Sequence, residues 1–108
     1  EIGAGTYIGA GCVVSIRARI GRHVLINLNA NVGHDVRLGN FAQICPGVCV
    51  NGYCQVGDSA FIGSNAVIEP GKSVGEGATL AACSFAVGDV EPGHTAMGVP
   101  ARTIFRKR

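Results

Sequence analysis

His34 stands between Gly33 and Asp35, and this triplet brings a base, an adjacent carboxylate and a small neighbour together. Imidazole titrates near neutral pH, so it can take a proton from an attacking group and return it to a leaving group. A carboxylate beside it would fix the tautomer and stabilise the charged form. Adjacent strand residues point to opposite faces, so Asp35 reaches His34 only where the chain turns. Asn27, Asn29 and Asn31 alternate just ahead of the triplet. Two readings of them stand. They are corner residues, because asparagine tolerates unusual dihedrals, or they are hydrogen-bonding partners for a polar acceptor beside His34. His23 falls outside any coil register with His34 and reads as an exposed corner residue, and His94 lies in a turn near the C-terminus. A zinc site would need two histidines close in sequence at a compatible spacing, which these are not.

What positions the triplet is a six-residue period. An aliphatic residue recurs without a miss: Ile2, Ile8, Val14, Ile20, Ile26, Val32, Leu38, Ile44, Val50, Val56, Ile62, Ile68, Val74, Leu80. Glycine often follows it, as at Gly3, Gly9, Gly21, Gly33, Gly39, Gly57, Gly63 and Gly75, where it is expected to permit a tight corner. Four positions after the aliphatic residue stands a small or aliphatic one, from Thr6 and Cys12 to Ala66 and Ala78. A strict short period means one unit copied along an axis. Six residues make one short strand and a corner, and three of them make an 18-residue coil of a parallel β-helix. Coils stack at about 4.8 Å, the ordinary strand spacing. The aliphatic residues then fall into three ladders inside a triangular prism. Position 52 lies one coil above His34, and its glycine leaves the imidazole open on that side.

Residues 1–86 are therefore expected to be coils. Residues 87–108 lose the period, carry the turns Glu91-Pro92-Gly93 and Gly98-Val99-Pro100, and are expected to cap the last coil or run along a face. Together they form one domain of 108 residues, small enough to be marginal alone. Its end coils leave strand edges unpaired. Seventeen glycines, no Trp and 15% charged residues suit a glycine-cornered β structure. A net charge of +2 does not argue for nucleic acid, and Arg17, Arg19, Arg22 and the tail Arg106-Lys107-Arg108 read as surface charge. No apolar run approaches a membrane span. Five cysteines without a C-x-x-C motif point to a reducing, cytoplasmic setting, with Cys12 and Cys54 as space-filling thiols. The chain begins without Met and already inside the repeat, so it reads either as a fragment or as a domain whose N-terminal partner has been cut away.

The hexapeptide repeat resembles that of the left-handed β-helix acyltransferases. More narrowly, Ile26-Asn27 through Asn31-Val32-Gly33-His34-Asp35, then Phe41 to Pro46-Gly47 and Gly98-Val99-Pro100-Ala101, looks like the sialic-acid O-acetyltransferase group. That group includes the bacterial UDP-4-amino-sugar N-acetyltransferases. The resemblance covers essentially the whole chain, and the left hand of the coil comes from it, since parallel crossovers are ordinarily right-handed. It implies a homotrimer with acetyl-CoA in the groove between neighbouring prisms, and no metal. His34 would match the general base and Asp35 the acidic residue beside it. Gly52, Ser64 and Ala82 fall where the family lines the pantetheine arm, and Ser64 and Ala82 stack one coil apart. Arg102 matches a basic residue of the tail that meets the phosphates of CoA. Many amino-sugar members have a second histidine where this chain has Gln43, so the grip on the acetyl group is expected to differ. Asn27 and Asn29 remain the candidates for the acceptor.

The resemblance implies transfer of acetyl from acetyl-CoA to an amine or hydroxyl of a sugar or nucleotide sugar. Two other readings compete. One is a non-catalytic trimeric solenoid that binds a partner, which acetyl-CoA binding would separate. The other is a zinc enzyme of the carbonic anhydrase type on the same fold, which metal analysis would separate.

Overall fold

A computed structural model describes residues 1–106; Lys107 and Arg108 of the basic tail lie outside them. The protein is a left-handed parallel β-helix built of two-residue strands. In Asn31–Val32 and Gln43–Ile44 the first residue faces solvent and the second is buried. The strands are this short because most of each hexad is spent on the corner. Three faces result, here called A, B and C in chain order. Face A carries the inward ladder Ile20, Leu38, Val56, Val74. Face B carries Ile8, Ile26, Ile44, Ile62, Leu80. Face C carries Val14, Val32, Val50, Ile68, Ala86. All three ladders follow the expected columns.

Ile26, Ile44, Ile62, Ile68 and Leu80 are fully buried, and each such side chain stabilises the fold by roughly 1.5–3 kcal/mol relative to exposure. The small residues of the fifth hexad position, among them Ala30, Ala42, Cys54, Ala60 and Ala66, are buried with them and fill the prism corners.

The corner itself differs from expectation. Glycines such as Gly33 keep ordinary φ values; the left-handed residue is two positions later, as at His23 (φ 55°), Asn29 (59°), Asp35 (58°) and Phe41 (63°). The glycine is small for a different reason. A Cβ at Gly33 would lie 2.7 Å from the backbone nitrogen of Gly52 in the next coil, closer than atoms can approach. Close stacking, and not conformational freedom, selects it.

The stack also passes Ala86, where the tail was expected to begin. Val90 bridges Val74, and the strand Thr95–Gly98 pairs parallel with Thr79–Leu80. The chain reaches Val90 from Val74, and Thr95 from Thr79, in fewer residues than an earlier coil uses, so the period disappears from the sequence while the coil continues. The strand Ala101–Phe105 then returns antiparallel on Thr95–Gly98 and covers the end of face B. The Ser84 hydroxyl accepts from the Gly98 amide at 2.9 Å and ties this hairpin to the coil below.

Candidate active site

The corner from face C to face A carries the triplet. Val32 is buried at the end of its strand, and the chain turns at Asp35, whose left-handed φ bends its side chain back along the corner. The Asp35 amide donates to the Ile16 carbonyl of the coil below at 3.1 Å, and the Tyr53 amide of the coil above donates to the His34 carbonyl at 3.0 Å. Both neighbours thus pin the turn. Asp35 Oδ2 lies 3.0 Å from His34 Nδ1, so the turn brings together the two groups that a straight strand would part.

With Nδ1–H donating to the carboxylate, Nε2 is left with its lone pair, the tautomer a base requires. Nε2 faces Gly52: a Cβ there would stand 2.6 Å from it. The imidazole is half exposed, at 51%, so this nitrogen is reachable from solvent. Tyr53 packs its ring edge-on at 5.1 Å and closes one flank.

A residue that sequence reasoning passed over completes the arrangement. Arg17 Nε and Nη2 donate to Asp35 Oδ1 and Oδ2 at 2.9 and 3.1 Å, a forked pair across one coil. Hydrogen bonds from Arg17 first, and His34 second, hold the Asp35 carboxyl at about 2, well below the usual carboxylate range. The signal was present: Arg17, Asp35 and Tyr53 share one corner column, each a full coil from the next.

The other expected residues lie elsewhere in the same chain. Ser64, Ala82, Asn27 and Asn29 are on the corner from face B to face C, and Gln43 is exposed on face B between Leu25 and Phe61. Arg102 is exposed on the antiparallel strand that ends face B. Gly52 alone of the donor-lining set shares the His34 edge. Asn29 has the left-handed φ of a corner residue, and Asn27 Oδ1 accepts from the Leu28 amide at 2.8 Å, so both have a local role where they stand. Burial pushes the thiols of Cys45 and Cys54 up, away from nucleophile chemistry. Among the described residues no group of three His, Cys, Asp or Glu side chains is arranged to hold a metal ion.

No family model matches the chain. It is 34% identical over 110 residues to the GDP-perosamine N-acetyltransferase of Escherichia coli O157:H7, covering 97% of this chain and 50% of that one. Its structure superposes on the acetyltransferase domain of PglB from Neisseria gonorrhoeae FA1090 in complex with acetyl coenzyme A. The TM-score there is 0.93 at 32% identity, covering 95% of this chain and 51% of that one. PerB from Caulobacter crescentus, in complex with CoA and GDP-perosamine, gives 0.86 at 30% identity, covering 94% and 53%. The repeat, the fold and the sequence likeness place the chain in the hexapeptide-repeat acetyltransferase group. It spans about half the length of the curated relatives it matches.

Proposed function

We propose that the protein transfers acetyl from acetyl-CoA to an amine or hydroxyl of a sugar or nucleotide sugar. The observation that carries this is the His34–Asp35 contact at 3.0 Å, with Nε2 open beneath Gly52. The acceptor's nitrogen or oxygen attacks the thioester carbon as His34 Nε2 takes its proton. The C–S bond breaks, and the proton held on the imidazole passes to the departing thiolate. Asp35 holds Nδ1–H and stabilises the imidazolium in between. Acetyl-CoA supplies the activated acyl group. The relatives named above, acting on or bound to GDP-perosamine and acetyl-CoA or CoA, support this class of donor and acceptor.

The same reading makes the protein a homotrimer. His34 and the Ser64–Ala82 pair lie on different edges of one prism, so one chain cannot present both to one substrate. Three triangular prisms set with one edge each at a common axis leave wedge-shaped grooves between them. Each wedge is walled by face A of one protomer and face B of the next. The His34 edge then borders one wall, and Gln43, Ser64, Ala82 and Arg102 lie on or border the other. The edge left for the axis is the one between faces A and B, carrying His23 and Phe41. A cytoplasmic setting belongs to this reading, and the five free cysteines suit it.

The test is acetyl-CoA-dependent release of free thiol across a panel of amino-sugar nucleotides, with light scattering on the same sample. Turnover of one acceptor by a trimer is the expected result. A stable monomer that binds no acetyl-CoA would sink the proposal and leave a solenoid scaffold.

A further inference from the structure

Arg19 and Arg37 pair in register on neighbouring strands of face A, and both are exposed. Like charges directly opposite on a sheet repel and cost stability. Among the described residues neither has a carboxylate at ion-pair distance; the guanidinium held that way is Arg17, by Asp35. A hollow of about 270 Å³ is lined by Arg17, Arg19, Asp35, Arg37 and Gln55. The charge of Asp35 is already matched by Arg17, so Arg19 and Arg37 leave this hollow with excess positive charge. On their other side they share a second hollow with Asp58, whose carboxylate offsets part of the charge there. Arg37 follows His34 closely on the same coil.

We propose that Arg19 and Arg37 form a subsite for phosphate or diphosphate oxygens of the acceptor, with Gln55 as a neutral donor beside them. Guanidinium forks match phosphate oxygens, and an anion between two stacked arginines removes the repulsion that the empty pair carries. The inference rests on the transferase reading and narrows its acceptor to a phosphorylated sugar or a nucleoside diphosphate sugar. Phosphates of the donor are assigned elsewhere, since the donor-lining residues Gln43, Ser64, Ala82 and Arg102 lie on or beside face B.

Calorimetric titration with inorganic pyrophosphate tests this directly. The wild-type protein should bind it, more weakly as salt is added. Arg37→Gln should weaken binding about tenfold, the worth of one hydrogen bond to a charged group. Arg19→Gln with Arg37→Gln should weaken it further, and Arg37→Lys should restore part of it. Acetyl-CoA affinity should hold in all of them, and the thermal midpoint should stay level or rise. Arg22→Gln, on the corner from face A to face B, should change nothing. Equal pyrophosphate affinity in the double variant overturns the subsite. A parallel loss of acetyl-CoA affinity overturns its assignment to the acceptor and gives the arginines to the donor. If the wild type holds pyrophosphate through these arginines but binds no acetyl-CoA, the transferase reading falls and the anion subsite stands.

Discussion

Two exposed corner histidines occupy different places in the hexad, and their surroundings diverge accordingly. His34 is the second residue after its ladder position, and its ring lies beside Gly52 of the next coil, where there is no side chain to cover it. His23 is the third residue, in the left-handed position, and its ring stacks on Phe41 of the next coil at 5.3 Å and 16°. One ring has a carboxylate at Nδ1 and space at Nε2; the other has an aromatic lid. In a solenoid the neighbour one coil away decides what a side chain can do. A histidine becomes a candidate base through what is missing at the matching position of the next coil.

Four measurements would break or sharpen that contrast. The largest effect belongs to His34→Ala. A positioned general base typically contributes 10²–10⁴-fold in rate, so kcat should fall by about that factor, roughly 3–5 kcal/mol of barrier. Acetyl-CoA affinity should change little. Wild-type turnover in His34→Ala would reduce the residue to a corner histidine like His23.

Gly52→Ala comes next. Its new Cβ would collide with Nε2, and either the ring or the coil must shift. Displacement of a reacting group by about 1 Å can cost around 10²-fold, so kcat should drop by up to that amount with circular dichroism unchanged. An unaffected rate would mean that Nε2 does not meet the acceptor from this side.

Asp35→Asn should cost less, roughly tenfold, because it exchanges the charge-assisted hydrogen bond at Nδ1 for a neutral one about half as strong and leaves the imidazole. It should also alter acid stability. The wild-type carboxyl is lowered from 3.8 to about 2 by Arg17 and then His34. A depressed carboxyl contributes stability that is fully present above its unfolded value and lost as pH falls through the folded one. Acid titration of unfolding should therefore show a limb between pH 3.8 and about 2 that the asparagine variant lacks. An identical acid limb in both proteins would show that the Arg17 pair does not hold the carboxylate in solution.

His23→Ala should have the smallest effect on catalysis, within about twofold, as for surface substitutions away from special features. Loss of the stack on Phe41 is expected to loosen the proposed trimer instead, read as concentration-dependent mass in light scattering. A rate loss matching that of His34→Ala in an intact trimer would erase the distinction between the two corners.

The prism, its three ladders and the His34–Asp35 pair were legible in the sequence because all depend on local spacing. Two features were hidden by chain geometry. Arg17 stands one coil from Asp35, a spacing the sequence contains, but without the apolar pattern that marks the ladders only the folded corner shows the two side chains meeting at 2.9 Å. The last coil escaped notice because its strands arrive early, Val90 against Val74 and Thr95 against Thr79, so a search at fixed period ends at Ala86. The role of the glycine column was misjudged for a related reason. Sequence shows that a side chain is excluded, but not whether φ or a neighbouring backbone excludes it; at Gly33 it is the backbone of Gly52.

The three-sided coil also gives the chain a structural reading frame. Inserting or deleting one whole coil lengthens or shortens the prism and leaves every downstream corner on its own edge. A change of one hexad keeps the ladders apolar and the fold intact, yet rotates everything after it by a third of a turn. Such a change between Gly52 and Ser64 would carry Ser64 and Ala82 together to another edge, still stacked one coil apart but set on different residues of the coil below. Indels in this protein are thus permitted by the core at every whole hexad and permitted by the proposed groove only at every whole coil, so divergence in length should be far coarser than stability alone would allow.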